Sequence, residues 1–380
     1  MNIVKYPGGK DGELDILRNY FPLDFKNYYE PFVGGGSVYL NICADSYYIN
    51  DLSKDLINLY RCAATKDRYF HLTMKLINRT WQQLDIFAVQ DTFMDDGFYA
   101  TYIHYRDNFI NENELDKKLS EYIEKERSEL VKLLPPIGKA DETFFINELY
   151  ETLQKKFRRM KYLNWNKNRI SDDDVKNNVL GCIKNAYYMY IRQLYNKTTD
   201  RSDGVRAMLY LFIRDMCYSG MFRFNSKGEF NVPYGGITYN SKNYEATIKK
   251  FNDPNLIEKL SKTKICCGDW KDFLENDQPT ENDFMFVDPP YDSEFSSYDG
   301  NSFEEKEQRV LADYLINECR CRFLLDIKYS ELIKKLYSPG KKCRNGEFLN
   351  VVMFDKKYSV SFMDRNDKEA AHVLIMNYGE

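Results

Sequence analysis

Tyr28-Tyr29-Glu30-Pro31-Phe32-Val33-Gly34-Gly35-Gly36-Ser37 runs from an apolar strand at 28–32 through a glycine turn, and the pattern predicts a short helix from Ser37. A second strand, Tyr47-Tyr48-Ile49-Asn50, follows. Strand, turn, helix and strand make half of a nucleotide-binding α/β layout, with the turn at the carboxyl end of a parallel sheet where ligands bind. A dinucleotide fingerprint would place a third glycine at position 39, where Tyr39 stands, so a pyrophosphate on that helix is disfavoured, and nicotinamide and flavin with it. Asp51 comes directly after the second strand, where a carboxylate accepts hydrogen bonds from both ribose hydroxyls of an adenosine-containing ligand. The combination suits a nucleoside without phosphates. On the turn alone, a structural bend with a helix-capping aspartate is an equal alternative.

Outward from this unit the pattern changes. From about Asp55 to Tyr218 helical periodicity dominates, with Leu115, Leu119, Tyr122, Leu130 and Leu133 at helical spacing among charges and no convincing strand. Pro135-Pro136, followed by Gly138, breaks that stretch and is expected to mark a subdomain joint. Alternation of strands and helices returns with Lys264-Ile265-Cys266-Cys267, Phe284-Met285-Phe286-Val287 and Arg322-Phe323-Leu324-Leu325 as buried parallel strands. Ser302-Phe303-Glu304-Glu305 is expected to cap a helix that reaches about Glu318, and Phe348 to Phe362 with Ala371 to Tyr378 to pair at the sheet's far edge. The fold class expected is α/β: one doubly wound, mostly parallel sheet from residues 1–60 and 245–380, interrupted by a helical insertion over 61–244.

Composition narrows the functional classes. At 380 residues the chain exceeds what one core usually holds. With 43% hydrophobic and 29% charged residues, and no run of about 20 apolar residues, no membrane span is expected. The start of the chain lacks the features of a signal peptide, and nine irregularly placed cysteines suit reduced thiols, so an intracellular, cytoplasmic location is expected. A net charge of -4 excludes a general polyanion sponge but leaves room for a local basic face. Aromatic residues make up 16% of the chain, with 31 tyrosines available wherever bases must stack. His71, His104 and His372 have no metal-ligand spacing, and neither Cys266-Cys267 nor Cys319-Arg320-Cys321 spaces a zinc site, so no metal is expected. No histidine accompanies a nucleophile-bearing turn, which leaves catalysis to carboxylates, carbonyls and a cofactor.

Phe284-Met285-Phe286-Val287-Asp288-Pro289-Pro290-Tyr291 ends a buried strand in a carboxylate, two prolines and an aromatic ring. The exocyclic amine of a base is a poor nucleophile because its lone pair is delocalised into the ring. Acceptors on its two hydrogens favour pyramidal nitrogen and restore that pair. Asp288 can supply one acceptor through its side chain and Pro289 the other through its carbonyl, while consecutive prolines restrict the backbone that holds both. Tyr291 can stack on an extruded base. Lys5-Tyr6-Pro7-Gly8-Gly9-Lys10 contains Gly-Lys but is no phosphate loop, since Val4 stands where glycine is needed and Asp11 where Ser or Thr is needed.

The motifs and their order resemble the Dam-type, D12-class DNA adenine-N6 methyltransferases, which use S-adenosylmethionine. The likeness rests on the Lys5 to Lys10 segment, Glu30 to Val38, Asn50-Asp51 with Asp55 to Tyr60, Gly228 to Gly235 and Asp288 to Tyr291. It covers the first sixty residues and most of the chain after about Cys217. The resemblance implies a Rossmann-like methyltransferase sheet, a target-recognition insertion with a β-hairpin near 221–234, and S-adenosylmethionine without a metal. It also implies that Tyr6 and Lys10 line the cofactor pocket, that Phe32, Gly34 and Gly36 surround the methionine part, and that Asp51 holds the ribose. Asp269 and Trp270 would flank the adenine. Asp288 would sit between cofactor and target amine, with Pro289, Pro290 and Tyr291 completing the catalytic loop. The expected partner is double-stranded DNA, and a separately encoded restriction endonuclease is left open. Methylation of cytosine N4, an RNA base or a protein glutamine, and a catalytically silent DNA-binding regulator, are the rivals. Two departures stand out: Asp326-Ile327-Lys328 replaces a frequent Ser-Asn pair, and the middle insertion is longer than in the smaller members.

For DNA contact, Lys155 to Tyr162, with Lys155, Arg158 and Arg159, is basic, aromatic-laced and free of acids, continuing to Trp165, Lys167 and Arg169, with a merely solvated helical face as an equal alternative. Met221 to Asn231 alternates around Ser226-Lys227-Gly228, which predicts a hairpin projecting Arg223 and Asn225, with Asn231 on its return strand.

Overall fold

Strands buried on both faces read as unbroken apolar runs, and Phe284-Met285-Phe286-Val287 is such a run, each residue fully buried. The structure, a computed structural model, describes residues 2–6, 8–137, 141–166, 170–197, 202–242, 244–290, 303–357 and 369–379. Its strands are β1 (Asn27–Glu30), β2 (Ser46–Asp51), β3 (Thr263–Cys267), β4 (Phe284–Val287), β5 (Arg322–Lys328), β6 (Asn350–Lys357) and β7 (Glu369–Met376). They form one sheet in the order β3-β2-β1-β4-β5-β7-β6. The first five are parallel, and β7 runs antiparallel to both β5 and β6. The chain forms two compact units, Met1–Ala64 with Pro254–Glu380, and Thr65–Asp253.

The period-2 alternation of the strands sorts the sheet's two faces. Tyr29, Met285, Val287, Phe323, Leu325 and Ile327 pack on one face with Trp270, Phe273 and Leu311, from the helices Trp270–Asn276 and Glu305–Asp313. Tyr28 and Phe284 lie on the other, in ring contact with Phe21, Phe25 and Tyr47. The helices Trp270–Asn276 and Glu305–Asp313 therefore cover the first face, and the helix Lys54–Ala64 packs against β2 and β3. The helix Glu305–Asp313 continues as a π-helical turn, Tyr314–Glu318. Its capping box starts later than predicted: the Glu304 N–H donates to Glu307 Oε2 at 3.1 Å, and Ser302 lies outside the described residues.

After the glycine turn the expected helix is one 3₁₀ turn, Tyr39–Asn41. The Asn41 side-chain amide donates to the Ser37 carbonyl at 2.7 Å, taking the acceptor that a continuing helix would use.

Among the described residues Thr65–Asp253 contains no named strand. Its longer helices, Arg68–Asp91, Glu112–Lys132, Glu142–Asn166, Asp172–Asn196 and Asp203–Met216, start at side-chain caps wherever the sequence supplies one. The Asp67 carboxylate accepts from Phe70 N–H at 2.8 Å, Asn111 and Glu114 form a capping box, and Ser171 accepts from Asp174 N–H. The prolines at 135 and 136 do not mark a subdomain joint. The helices on either side of them pack against each other, and the unit boundaries fall at Ala64 and Pro254 instead. Tyr187, Tyr188, Tyr190 and Tyr210 are buried, with Tyr187 packed edge-on against Phe212 beside Trp81. Much of the tyrosine excess is therefore core in this unit.

Candidate active site

The glycine turn is shaped by what crowds it. Gly36 has φ +76° and Gly34 φ +48°, both left-handed. A Cβ on Gly35 would lie 2.6 Å from the Val4 carbonyl oxygen, and one on Gly36 would overlap the Tyr60 hydroxyl. That hydroxyl donates to the Gly34 carbonyl at 3.1 Å. Asp51, at the end of β2, braces the turn from the other side. Its Oδ2 accepts from Gly34 N–H at 3.0 Å and its Oδ1 from Ser53 N–H at 2.9 Å. Burial raises the Asp51 carboxyl above its ordinary value, with these backbone donors opposing the rise. Each carboxylate oxygen has a second lone pair with which to accept a ligand hydroxyl. Asn50, which sequence reasoning gave no role of its own, is buried and donates to the Pro31 carbonyl at 3.1 Å and the Gly268 carbonyl at 2.9 Å. It ties the carboxyl ends of β1 and β3 together across β2.

The N-terminal segment joins this turn to the Asp288 loop. Ile3 N–H donates to the Gly35 carbonyl at 2.8 Å, and the Tyr6 ring lies where a Cβ on Gly34 would come within 3.1 Å of it. Four residues later Lys10 is 2% exposed, with its ammonium 2.9 Å from Asp288 Oδ1 and 3.0 Å from Asp326 Oδ2. Glu13 Oε2 lies 3.8 Å away. Asp326 is fully buried and its Oδ1 lies 3.1 Å from Nδ1 of the equally buried His372. Burial opposes ionisation of Asp326, yet the Lys10 ammonium and the His372 hydrogen bond hold its carboxyl well below the usual range. An ionised carboxylate only accepts, so Nδ1 of His372 carries the proton. Glu13, Asp326 and His372 bring their ligand atoms within 4.8 Å of one another, the spacing of a cation site. The Lys10 ammonium already brings positive charge to that cluster.

Asp288 keeps 20% of its side chain exposed, whereas Pro289 is buried. Gln308, fully buried on the helix Glu305–Asp313, donates to the Pro290 carbonyl at 3.2 Å and so fixes the loop from behind. Tyr291 lies outside the described residues. Glu30, at the end of β1, is buried beneath this edge and accepts from the Tyr28 hydroxyl at 2.6 Å. Burial pushes its carboxyl well above the ordinary value; the Tyr28 hydrogen bond opposes the rise and the charge of Asp288 adds to it.

At the third strand end, exposed Asp269 caps the helix Trp270–Asn276, its Oδ1 accepting from Lys271 N–H at 2.8 Å. Trp270 is 6% exposed and packs against Phe32 and Tyr314, with ring centroids 6.4 and 5.6 Å away. Its ring is thus part of the core, while Phe32, half-buried, stands between it and Phe303.

The Thr65–Asp253 unit carries the residues expected to meet DNA. Phe224 and Phe230 bridge antiparallel around Gly228, whose φ is +75°. On this hairpin exposed Arg223 donates through Nε to Asn231 Oδ1 at 2.8 Å, and Asn225 Nδ2 to Glu229 Oε2 at 2.8 Å. On the helix Glu142–Asn166, Arg159 is exposed and Lys155 pairs with Glu151 at 2.8 Å. Arg158 places Nη2 within 3.0 and 2.8 Å of the two Asp116 oxygens. Lys167 and Arg169 lie outside the described residues.

Comparison with known proteins identifies the family. Residues 6–134 and 140–347 match the profile of the D12 class N6 adenine-specific DNA methyltransferases. The chain is 29% identical over 205 residues to the type II methyltransferase M.MjaIII of Methanocaldococcus jannaschii, covering 51% of this chain and 65% of that protein. It is 35% identical over 130 residues to the retron Ec67 DNA adenine methylase of Escherichia coli, covering 34% of this chain and 42% of that protein. A DNA adenine methylase of Serratia marcescens is 23% identical over 345 residues, covering 88% of this chain and 86% of that protein. The matches to the first two span less than two thirds of those relatives' own length. No helix among the described residues is long and apolar enough to cross a membrane. With the family profile matched across most of its length, the chain belongs to the D12 class of N6 adenine-specific DNA methyltransferases.

Proposed function

We propose that this protein methylates N6 of adenine within a short sequence of double-stranded DNA, using S-adenosylmethionine. The observation that carries the proposal is the position of Asp288. It is a partly exposed carboxylate at the end of a buried central strand, tied through Lys10 to the N-terminal segment that also packs on the glycine turn. The donor set suits the cofactor: a turn with no room for a Cβ on Gly35 or Gly36, the carboxylates of Asp51 and Asp269 for hydroxyl and amine groups, and an acidic edge for a cationic sulfur. Tyr6, Lys10, Phe32, Gly34, Gly36, Asp51 and Asp269 would form the pocket, with Asp288 at its inner end and the buried Trp270 supporting Phe32 from the core. Bound there, S-adenosylmethionine supplies an electrophilic methyl group on a sulfonium centre.

Adenine inside a duplex has its amine engaged in the base pair at the major-groove edge and its ring faces stacked, out of reach of an enclosed pocket, so the base turns out before reaction. The Asp288 carboxylate and the Pro289 carbonyl accept its two N–H groups, restoring the lone pair, and the carboxylate meets the positive charge that develops on nitrogen. Tyr291 stacks on the base. Arg223, Asn225 and Asn231 of the hairpin approach base edges, and Lys155, Arg158 and Arg159 approach phosphates.

The test uses S-adenosylmethionine with a labelled methyl group, unmethylated duplex DNA of varied sequence, nuclease digestion and mass analysis of the nucleosides. N6-methyladenine is expected from the parent. Asp288→Asn should lose at least about a hundredfold in rate while binding the cofactor. Label in N4-methylcytosine, RNA or protein, or none from folded protein that binds the cofactor, would overturn the assignment.

A further inference from the structure

Two carboxylates side by side on neighbouring parallel strands repel unless a cation separates them. The pairing of β4 with β5 runs Phe286↔Leu324 and Val287↔Leu325, so Asp288 and Asp326 come next to each other at the sheet's carboxyl edge. Both lie an even number of residues from Phe284 and Leu324 respectively, and so belong to the same face as those residues. Lys10 is the cation between them, its Nζ 2.9 Å from Asp288 Oδ1 and 3.0 Å from Asp326 Oδ2. Asp326 is fixed in turn across the β5–β7 ladder. Leu374 is its direct partner, and His372, two residues along β7 and hence on the same face, brings Nδ1 to 3.1 Å from Asp326 Oδ1. Glu13 borders the same ammonium at 3.8 Å.

We infer that Asp326 and His372 are positioning residues for the methyl-transfer site, acting through Lys10 to set the orientation of the Asp288 carboxylate; this rests on the function proposed above. Lys10 lies outside the sheet, before the short helix Leu14–Leu17, so the sheet's backbone does not itself set where the long side chain ends. Asp326 does, because a buried ammonium cannot move away from a buried carboxylate without losing the charge that offsets its desolvation. His372 keeps Asp326 from swinging to meet Lys10 elsewhere. The ammonium therefore approaches Asp288 from one fixed side and holds one carboxylate oxygen. It shares its charge with Asp326, so that Asp288 retains the negative character an amine acceptor needs. Asp288 is the catalytic residue; Asp326 and His372 touch neither base nor cofactor in this scheme.

The experiment compares the parent with Asp326→Asn, His372→Leu and His372→Asn. It measures kcat for N6-methyladenine formation, the dissociation constant for S-adenosylmethionine, the thermal midpoint, and the Asp288 rotamer in crystal structures. Asp326→Asn and His372→Leu should each lower kcat about tenfold or more and turn the Asp288 carboxylate, with cofactor affinity within about threefold of the parent. His372→Asn, whose amide can donate from near the Nδ1 position, should recover most of the loss. Parent-like kcat and an unmoved Asp288 in both Asp326→Asn and His372→Leu would overturn the inference. So would a loss in which kcat, cofactor affinity and thermal midpoint fall together and His372→Asn does no better than His372→Leu. If Asp326→Asn does not fold, the two His372 variants decide. A parent that binds cofactor yet methylates no adenine refutes the functional proposal, while the rotamer of Asp288 across the variants still supports or overturns its dependence on Asp326 and His372.

Discussion

Replacing Gly36 by alanine isolates one atom's worth of crowding in the glycine turn. Two costs arise. The left-handed φ of +76° penalises any residue with a Cβ by about 1–2 kcal/mol. The new methyl also overlaps the Tyr60 hydroxyl, which must move and give up its 3.1 Å hydrogen bond to the Gly34 carbonyl, worth about 1 kcal/mol. Gly36→Ala should therefore cost about 2–3 kcal/mol. Tyr60→Phe alone loses only the hydrogen bond, about 1 kcal/mol. In the double variant the overlapping oxygen is gone, and the nearest remaining atoms are ring carbons of Tyr39 and Tyr60 at 3.4 and 3.5 Å, ordinary contact. The double variant should then be no less stable than Gly36→Ala, which makes the coupling about 1 kcal/mol. Urea unfolding of the four proteins, followed by far-ultraviolet circular dichroism, measures that cycle. Additive costs, within about 0.3 kcal/mol, would refute the claim that Tyr60 and Gly36 compete for one space. Cofactor affinity should fall in parallel, because the displaced hydroxyl releases the carbonyl of Gly34.

Acid sensitivity should separate Asp326 from other carboxylates. Its folded pKa is depressed, so its stabilisation is present above the unfolded carboxylate range near about 4 and is lost as pH falls below it; the stability gap between parent and Asp326→Asn should narrow over that window, as read from urea midpoints. Glu30 behaves oppositely. Its folded pKa is raised, so parent stability falls as pH climbs from about 4.5 toward the raised value, and Glu30→Gln should show a flatter profile in the same titration. In the Thr65–Asp253 unit, a Cβ on Gly204 would overlap the Asp67 carboxylate that caps the helix Arg68–Asp91 and would lie 2.6 Å from Phe70 N; Gly204→Ala should destabilise by at least about 1 kcal/mol, measured by thermal denaturation. If Arg223 meets a base edge, Arg223→Ala should weaken binding to the methylated sequence by about 1–3 kcal/mol with little change for unrelated duplexes, whereas a uniform loss would make it a phosphate contact.

What was legible in the chain was local. The strand-turn at Tyr28 to Gly36 and the buried strand ending in Asp288 each carry their signal within ten residues, and periodicity alone places them. Asp326 was not legible in this way. After Phe323-Leu324-Leu325 a charged residue reads as the strand's end, yet β5 runs on to Lys328 because Lys10 and His372 arrive from the two ends of the chain to compensate the buried charge. Gln308 and Asn50 were equally silent, since a buried amide that binds backbone carbonyls has no spacing rule. The prolines at 135 and 136 misled for a related reason: they end a helix, but the helices on either side pack together, and only that tertiary contact decides whether a break is also a boundary. The tyrosines show that aromatic abundance does not say which rings face a ligand and which build a core.

The helix Lys54–Ala64, through which the chain leaves the sheet-bearing unit, packs directly against Pro254–Ser261, through which it re-enters. Departure and return are thus pinned side by side by contacts that belong to the sheet's own unit, and the length of chain between them adds only a slowly growing closure entropy. A change in the length or content of Thr65–Asp253 therefore leaves the two attachment helices, and the sheet they flank, held by the same contacts.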